Sequence, residues 1–427
     1  MSYIKNYDQL ATNDNRKVVL DLAEAAFTAV QPQHVFEHNF SVSGDTLKIF
    51  DQTFDLSKYD GIFLLGFGKG SAGNCKRLEE QLGDRVIGGY AIDVVEDEHF
   101  KKVQYTKGTH PLPSEENIAF TKHAIEQLEE THDKHLVLVV TCGGGSVLFE
   151  APNKLSLDEI TAVNKALLQS GADITEMNAI RKHLSRVKGG GLAKILYPAT
   201  VVNLIFSDVP GNDLSVIASG PLVSDHSTMD TVKNIIKKYS LDEKVNLPSD
   251  AFAETPTDPK YFKNVHNILM LSNLTALNAM EKLARQKGYT VHVMSDRLQG
   301  DAHTLGKQLI DETGTGEILI AGGESTIKIK GHGKGGRNQA LVLSQVANLP
   351  DNVVLASFGS DGWDFYELAG AIADKETKQK AKDMDLDIPA YLDDDNSNEF
   401  WNKTGDGINT GHLDSNVSDL YIVLKSK

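Results

Sequence analysis

Glycine-rich segments that follow short apolar runs hold most of the residues able to do chemistry. The first is Gly66-Phe67-Gly68-Lys69-Gly70-Ser71-Ala72-Gly73, which leaves the apolar run 62–65 and enters a helix near residue 74. Glycines let a backbone approach an oxyanion, and a helix N-terminus adds partial positive charge. Lys69 adds a full charge, so Gly68, Gly70 and Ser71 become candidates for holding phosphate. The same run fits the dinucleotide pattern Gly68-x-Gly70-x-x-Gly73, with Asp93 about 20 residues on where a ribose-binding acid would stand. The second segment is Cys142-Gly143-Gly144-Gly145-Ser146, after the run 135–141. Three glycines in a row cost ordering entropy that simple packing does not repay, so a second oxyanion cradle is expected. No histidine is placed in sequence to activate Cys142, which reads as a small buried residue.

The third segment, Ser207-Asp208-Val209-Pro210-Gly211-Asn212-Asp213, follows the run 200–206. An aspartate just past a buried strand suits a magnesium ligand or a general base. A helix cap or Asx-turn is the competing reading for Asp208 and Asp213. The fourth group is Gly322-Gly323-Glu324, the run GHGKGGRN over 331–338, and Gly359-Ser360-Asp361-Gly362. Lys334, Gly335, Gly336, Arg337 and Asn338 lead into a helix, a composition suited to anions. A surface hairpin would have the same composition. Finally, Asn178, Arg181, Lys182, Ser185 and Lys188 stand at i, i+3, i+4, i+7 and i+10, so most share one side of an expected helix 175–187. A carboxylate or phosphate fits that side, and so does solvent.

These residues need strands and helices to position them. Strands are expected at 61–65, 86–92, 135–141, 200–207, 265–271, 290–294, 317–321, 325–329, 353–357 and 369–373. Several are near-continuous in Val, Ile and Leu, the mark of parallel strands covered on both faces. Helices are expected at 14–30 with Asp14 as N-cap, at 115–130, from the capping box Ser156-x-x-Glu159 to before Gly171, at 175–187 and at 275–286. The stretch 240–261 has three prolines and little periodicity, so the domain boundary is expected there. That gives domains 1–240 and 262–427.

Composition narrows the class. The 427 residues carry a net charge of −16, which disfavours nucleic acid and anionic lipid as general partners. Two cysteines build neither a zinc site nor a disulfide framework. No run approaches the ~18–20 apolar residues of a membrane span, and the first residues lack a secretory pattern. A cytoplasmic protein is expected. There is no Walker A sequence, no H-E-x-x-H, no nucleophile elbow leading into a triad and no protein-kinase signature set.

The chain resembles the glycerate 2-kinases of the MOFRL type, sometimes labelled hydroxypyruvate reductases. The matching stretches are GFGKGSAG (66–73), GTHPLPSEEN (108–117), CGGGSVLFEAP (142–152), NAIRKHLSRVKGGGLA (178–193), SDVPGNDLSVIASGP (207–221), GGES (322–325), GKGGRNQALVL (333–343) and GSDGWD (359–364). They cover essentially the whole chain in order. The resemblance implies an α/β protein with a Rossmann-like parallel-sheet N-terminal domain, a smaller α/β MOFRL domain and a deep cleft between them. It implies ATP- and Mg2+-dependent phosphorylation of D-glycerate at the 2-hydroxyl, with small-molecule partners only. A homodimer is among the assemblies it allows. By position Lys69, Asp208 and Arg337 match the family's essential polar residues. Lys69 and Arg337 would stabilise the transferring phosphoryl group, and Asp208 would orient or deprotonate the 2-hydroxyl. Gly143, Gly144, Gly145 and Ser146 would hold an anionic oxygen. Arg181, Ser185, Lys188 and Asp213 would bind substrate, and Glu324, Asp361 and Asp208 are the magnesium candidates. The chain departs from the family where GSDGWD replaces G-T-D-G-x-D-G, putting Phe365 in place of a glycine, and at Thr410-Gly411-His412-Leu413. A nicotinamide-dependent hydroxypyruvate reductase, resting on the dinucleotide pattern, and a non-catalytic metabolite sensor are the alternatives.

Overall fold

The computed structural model describes residues 2–96 and 99–427, which form two compact units. One comprises residues 39–207 and 212–270. The other comprises the residues up to 38, residues 208–211 and residues 271–427.

The first unit opens with an antiparallel three-stranded sheet of β1 (Phe40–Ser43), β2 (Thr46–Ile49) and β3 (Gln52–Asp55). Its main sheet contains β4 (Gly61–Phe67), β5 (Val86–Asp93), β6 (Val103–Lys107), β7 (His135–Cys142), β8 (Thr200–Phe206) and β9 (Val265–Leu271) in the order β6-β5-β4-β7-β8-β9. Every pairing from β6 to β8 is parallel. Leu136 to Val140 are fully buried, as the unbroken apolar run requires of a strand covered on both faces. The core joins Leu65, Phe67, Val137 and Val139 to Phe120, Ile125 and Leu192 of the flanking helices. The chain runs from β4 outward through β5 and β6, then crosses to the other side of β4 for β7. The switch in strand order therefore lies between β4 and β7, where open α/β sheets bind ligands beyond the strand ends.

The second unit has a mixed sheet of β10 (Thr290–Asp301), β11 (Glu317–Thr326), β12 (Val353–Gly359), β13 (Gly370–Ala373), β14 (Gly407–Ile408) and β15 (Asp419–Lys425), ordered β10-β11-β15-β12-β13-β14. Among the described residues only β10 and β11 of this sheet pair in parallel; β15 runs antiparallel to both its neighbours.

The division differs from the expected 1–240 and 262–427. The irregular stretch 240–261 does exist, but β9 beyond it joins the first unit's sheet. The helix Asp14–Ala29 belongs to the second unit. Its Phe27 ring lies 4.9 Å from that of Phe358. Its fully buried Arg16 donates to Asp374 at 2.9 Å and Asp406 at 2.8 Å. Local proline content marks irregular chain, but long-range packing decides the unit. The N-cap is Asn13, not Asp14. The two expected strands 317–321 and 325–329 are replaced by the single β11, so Gly322-Gly323-Glu324 lies in a strand and not in a turn.

Candidate active site

At the switch point, both strands end in glycine turns. Gly68 has φ +106°, and a Cβ there would stand 2.4 Å from the Cys142 carbonyl oxygen. Only glycine lets the turns after β4 and β7 pack this closely. They are tied by the Lys69 N–H donating to the Gly143 carbonyl at 2.8 Å. Gly70 and Gly144, both left-handed, cap the helices Ser71–Leu82 and Gly145–Leu148. The Lys69 side chain is exposed at this junction. The His110 ring and Lys69 Cε both border the space beside Gly144. Burial and the Lys69 charge together hold the His110 pKa below its ordinary value, so its ring is neutral at neutral pH. The loop carrying His110 is fixed by fully buried Asn117, which accepts from the Thr109 N–H and donates to the Thr109 and Val147 carbonyls.

Two expected phosphate or ribose ligands turn inward. Ser71 is fully buried and donates to the Ile92 carbonyl at 2.9 Å. The Asp93 carboxylate accepts from the N–H groups of Ala72 at 3.1 Å and Val94 at 2.7 Å. It caps the helix that a dinucleotide pyrophosphate would need, and at 1% exposure it is not presented to a ribose. The dinucleotide reading loses its acid for that reason.

A polar cluster adjoins the second glycine turn. Half-buried Ser146 meets Ser219 at 3.0 Å, and Ser219 donates to Asn178 Oδ1 at 3.1 Å. Arg181 Nε donates to Asn164 at 2.7 Å. Burial pulls its pKa below the usual arginine value, with Glu150 acting in the opposite direction. Lys188 is 1% exposed and ion-paired with Glu150, which is also buried. The helix ends at Leu184, so Lys188 lies beyond it, and periodicity did not put it on the Arg181 face. Lys182 pairs with buried Asp225 at 2.9 Å. Ser185 is the buried C-cap of that helix. Exposed Asp213 forms an Asx-turn, accepting from the Ser215 N–H at 2.8 Å. Those last two are spent locally.

In the mixed-sheet unit Arg337 opens the helix Arg337–Val346. Its Nε and Nη2 donate to the two oxygens of Asp419 at 2.7 and 3.1 Å, and its Nη1 donates to Glu324 at 2.7 Å. Burial alone would lower its pKa, but Asp419 and then Glu324 more than offset this and the pKa is raised. Register explains the geometry: Asp419, first residue of central β15, pairs with Gly323 on one side and Gly359 on the other. Asn338 is buried and donates to Asp419 at 2.9 Å, while its oxygen accepts from Ser357. The space a Cβ would need at Gly336 is filled by the Asp364 carboxylate, and at Gly335 by the Ser397 hydroxyl. Burial, aided by Asp419, pushes the Asp364 pKa up to about 7 against the Gln339 N–H.

Asp208 falls in this same unit. Its carbonyl accepts from Ser418, the neighbour of Asp419, at 2.6 Å. Asp361 is half-buried and accepts from the Trp363 N–H at 3.1 Å. Burial raises its pKa against that hydrogen bond and the charges of His412 and Arg337. Among the described residues no group of three or more His, Cys, Asp or Glu stands together as a ready metal cage.

Residues 18–251 match a family described as a domain of unknown function, DUF4147, and residues 317–419 match the MOFRL family. The glycerate 2-kinase of Pyrococcus horikoshii is 32% identical, covering 96% of this chain and 97% of that protein. The D-glycerate 2-kinase of Thermotoga maritima is 32% identical over 96% and 98%. The chain belongs to the glycerate 2-kinase family. The crystal structure of glycerate kinase from Thermotoga maritima superposes with a TM-score of 0.84 at 31% identity, covering 96% of this chain and 99% of that one.

Three site residues of this glycerate 2-kinase family member escaped the sequence reading. His110 sat in the matching stretch 108–117 without a role. Glu150 lies inside CGGGSVLFEAP, where no local pattern marks it. Asp419 opens a strand that was not expected at all, although Leu420 to Leu424 form an unbroken apolar run after it.

Proposed function

We propose that this chain transfers the γ-phosphoryl group of ATP to the 2-hydroxyl of D-glycerate, giving 2-phosphoglycerate and ADP. The observation that carries the reading is the exposed Lys69 at the β4–β7 switch point, between two interlocked glycine turns, in a chain similar along its length to glycerate 2-kinases. Phosphoryl transfer asks mainly for positioning and charge neutralisation. Lys69 supplies a cation to the transferring group, with amides of the Gly68–Gly70 and Gly143–Gly145 turns beside it. Arg337, its fork held by Asp419 and Glu324, is the second cation. Arg181 takes the substrate carboxylate, and the buried Lys188–Glu150 pair supports it from within. Asp208 orients the 2-hydroxyl or receives its proton. The protein is a cytoplasmic enzyme of small molecules in this reading.

Magnesium carried with the nucleotide needs only one or two protein carboxylates besides phosphate oxygens. Asp361 fits, because its half-buried carboxylate has a raised pKa and gains from a cation. Asp208 is the companion candidate, whereas Glu324 is already engaged by Arg337. Bound there, the ion would neutralise developing phosphate charge.

The test is ADP release from ATP and Mg2+ with D-glycerate, run beside NADH oxidation with hydroxypyruvate. ADP formation together with 2-phosphoglycerate supports the reading; NADH consumption without ADP overturns it. Full rate in both Lys69→Ala and Asp208→Asn would overturn the residue assignments.

A further inference from the structure

The hydroxyl chain at the second glycine turn has a direction. Asn178 Oδ1 can only accept, so the single Ser219 O–H points to it. In the 3.0 Å contact between Ser146 and Ser219, Ser219 must then accept and Ser146 must donate. The proton of Ser146 is committed inward. What half-buried Ser146 offers outward is lone pairs alone, which repel a phosphate oxygen and suit a hydroxyl donor. The arrangement is held against backbone cost. Ala218 and Ser219 both have left-handed φ, +50° and +60°, a conformation non-glycine residues keep only when their surroundings impose it. Here Gly189 and Gly190 N–H groups fix the Ser219 and Gly220 carbonyls at 3.0 and 2.8 Å. The Ala218 Cβ lies 3.0 Å from where a Cβ of Gly145 would be, locking this loop to the turn. Asn178 Nδ2 is buried with no partner among the described residues. The cluster thus keeps unmet hydrogen-bonding capacity for a small polar ligand.

We infer that Ser146 reads the acceptor hydroxyl that is not phosphorylated, accepting its hydrogen bond, and does not hold an anionic oxygen as the sequence suggested. This rests on the proposed reaction: with the 2-hydroxyl consumed, the group read is the 3-hydroxyl of glycerate. Ser146 is then a specificity-determining residue against 2-hydroxy acids that lack it.

Binding of D-glycerate and of D-lactate to the full chain is measured by calorimetry, beside ADP release with each acid. Sites built to hydrogen-bond a substrate hydroxyl reject its absence strongly, so a preference of about 100-fold or more for glycerate is expected. Ser146→Ala should shrink that preference at least about tenfold, the loss falling on glycerate and not on D-lactate. The KM for ATP should stay unchanged. Ser219→Ala, which frees the Ser146 proton to point outward, should fall between wild type and Ser146→Ala. Equal losses on both acids, a raised KM for ATP in Ser146→Ala, or an unchanged preference in Ser219→Ala would overturn the inference. Absence of ADP from wild type with glycerate would instead overturn the proposed reaction, and the binding preference would still decide the role of Ser146.

Discussion

Lys69 and Arg337 are both cations beside glycines at the entry to a helix, yet the two regions hold them in opposite ways. Around Lys69 the scaffold is main chain: two glycine turns tied by one N–H to carbonyl bond, with the side chain left in solvent. Around Arg337 the scaffold is side chain, a bidentate carboxylate, a second carboxylate and a buried asparagine. A flexible ammonium can follow a moving charge, whereas a planar guanidinium gripped at both edges is fixed in one pose. Function and stability should therefore separate at Lys69 and be entangled at Arg337.

The sharpest break in that contrast is Lys69→Ala. Removing one stabilising group commonly costs about 10²–10³ in kcat, while an exposed substitution changes stability by less than about 0.5 kcal/mol. Steady-state ADP release and a urea melt read the two; a large stability loss would mean that Lys69 is structural after all.

The opposite outcome is expected for Asp419→Ala. It removes the bidentate acid from a partly buried guanidinium that keeps Glu324, so the cost should fall below the ~3–5 kcal/mol of breaking a fully buried pair, and the denaturation midpoint should drop along with activity. A variant as stable as wild type would show the network to be dispensable.

The mixed-sheet unit should also carry a pH signature. Asp364 holds its proton up to about pH 7 in the folded chain, while the unfolded chain releases it near the ordinary value of 3.8. Between these values the unfolded state binds fewer protons, so stability falls as pH rises and levels off above about 7. Urea midpoints across that window should decline, and Asp364→Asn should flatten the decline. A flat wild-type profile would contradict the burial effect.

The smallest expected effect is at Phe365, 71% exposed with φ +68°. Phe365→Gly should stabilise by up to about 1 kcal/mol, the relief of a left-handed backbone less the entropy glycine adds to the unfolded chain. A calorimetric melt checks the sign. In the family pattern that the sequence resembles, a glycine stands at this position.

Sequence by itself determined the glycine turns, the strands that feed them and the place of Lys69 between the turns, because strand burial and glycine spacing are local signals. The capping box at Ser156 was legible for the same reason. Tertiary structure decided the rest. It put the helix Asp14–Ala29 with the second half of the chain, turned Ser71 and Asp93 inward, and buried Lys188 on Glu150. It set Asp419 against Arg337 across 82 positions. Which partner satisfies a buried charge depends on contacts between distant segments, and no local pattern encodes those.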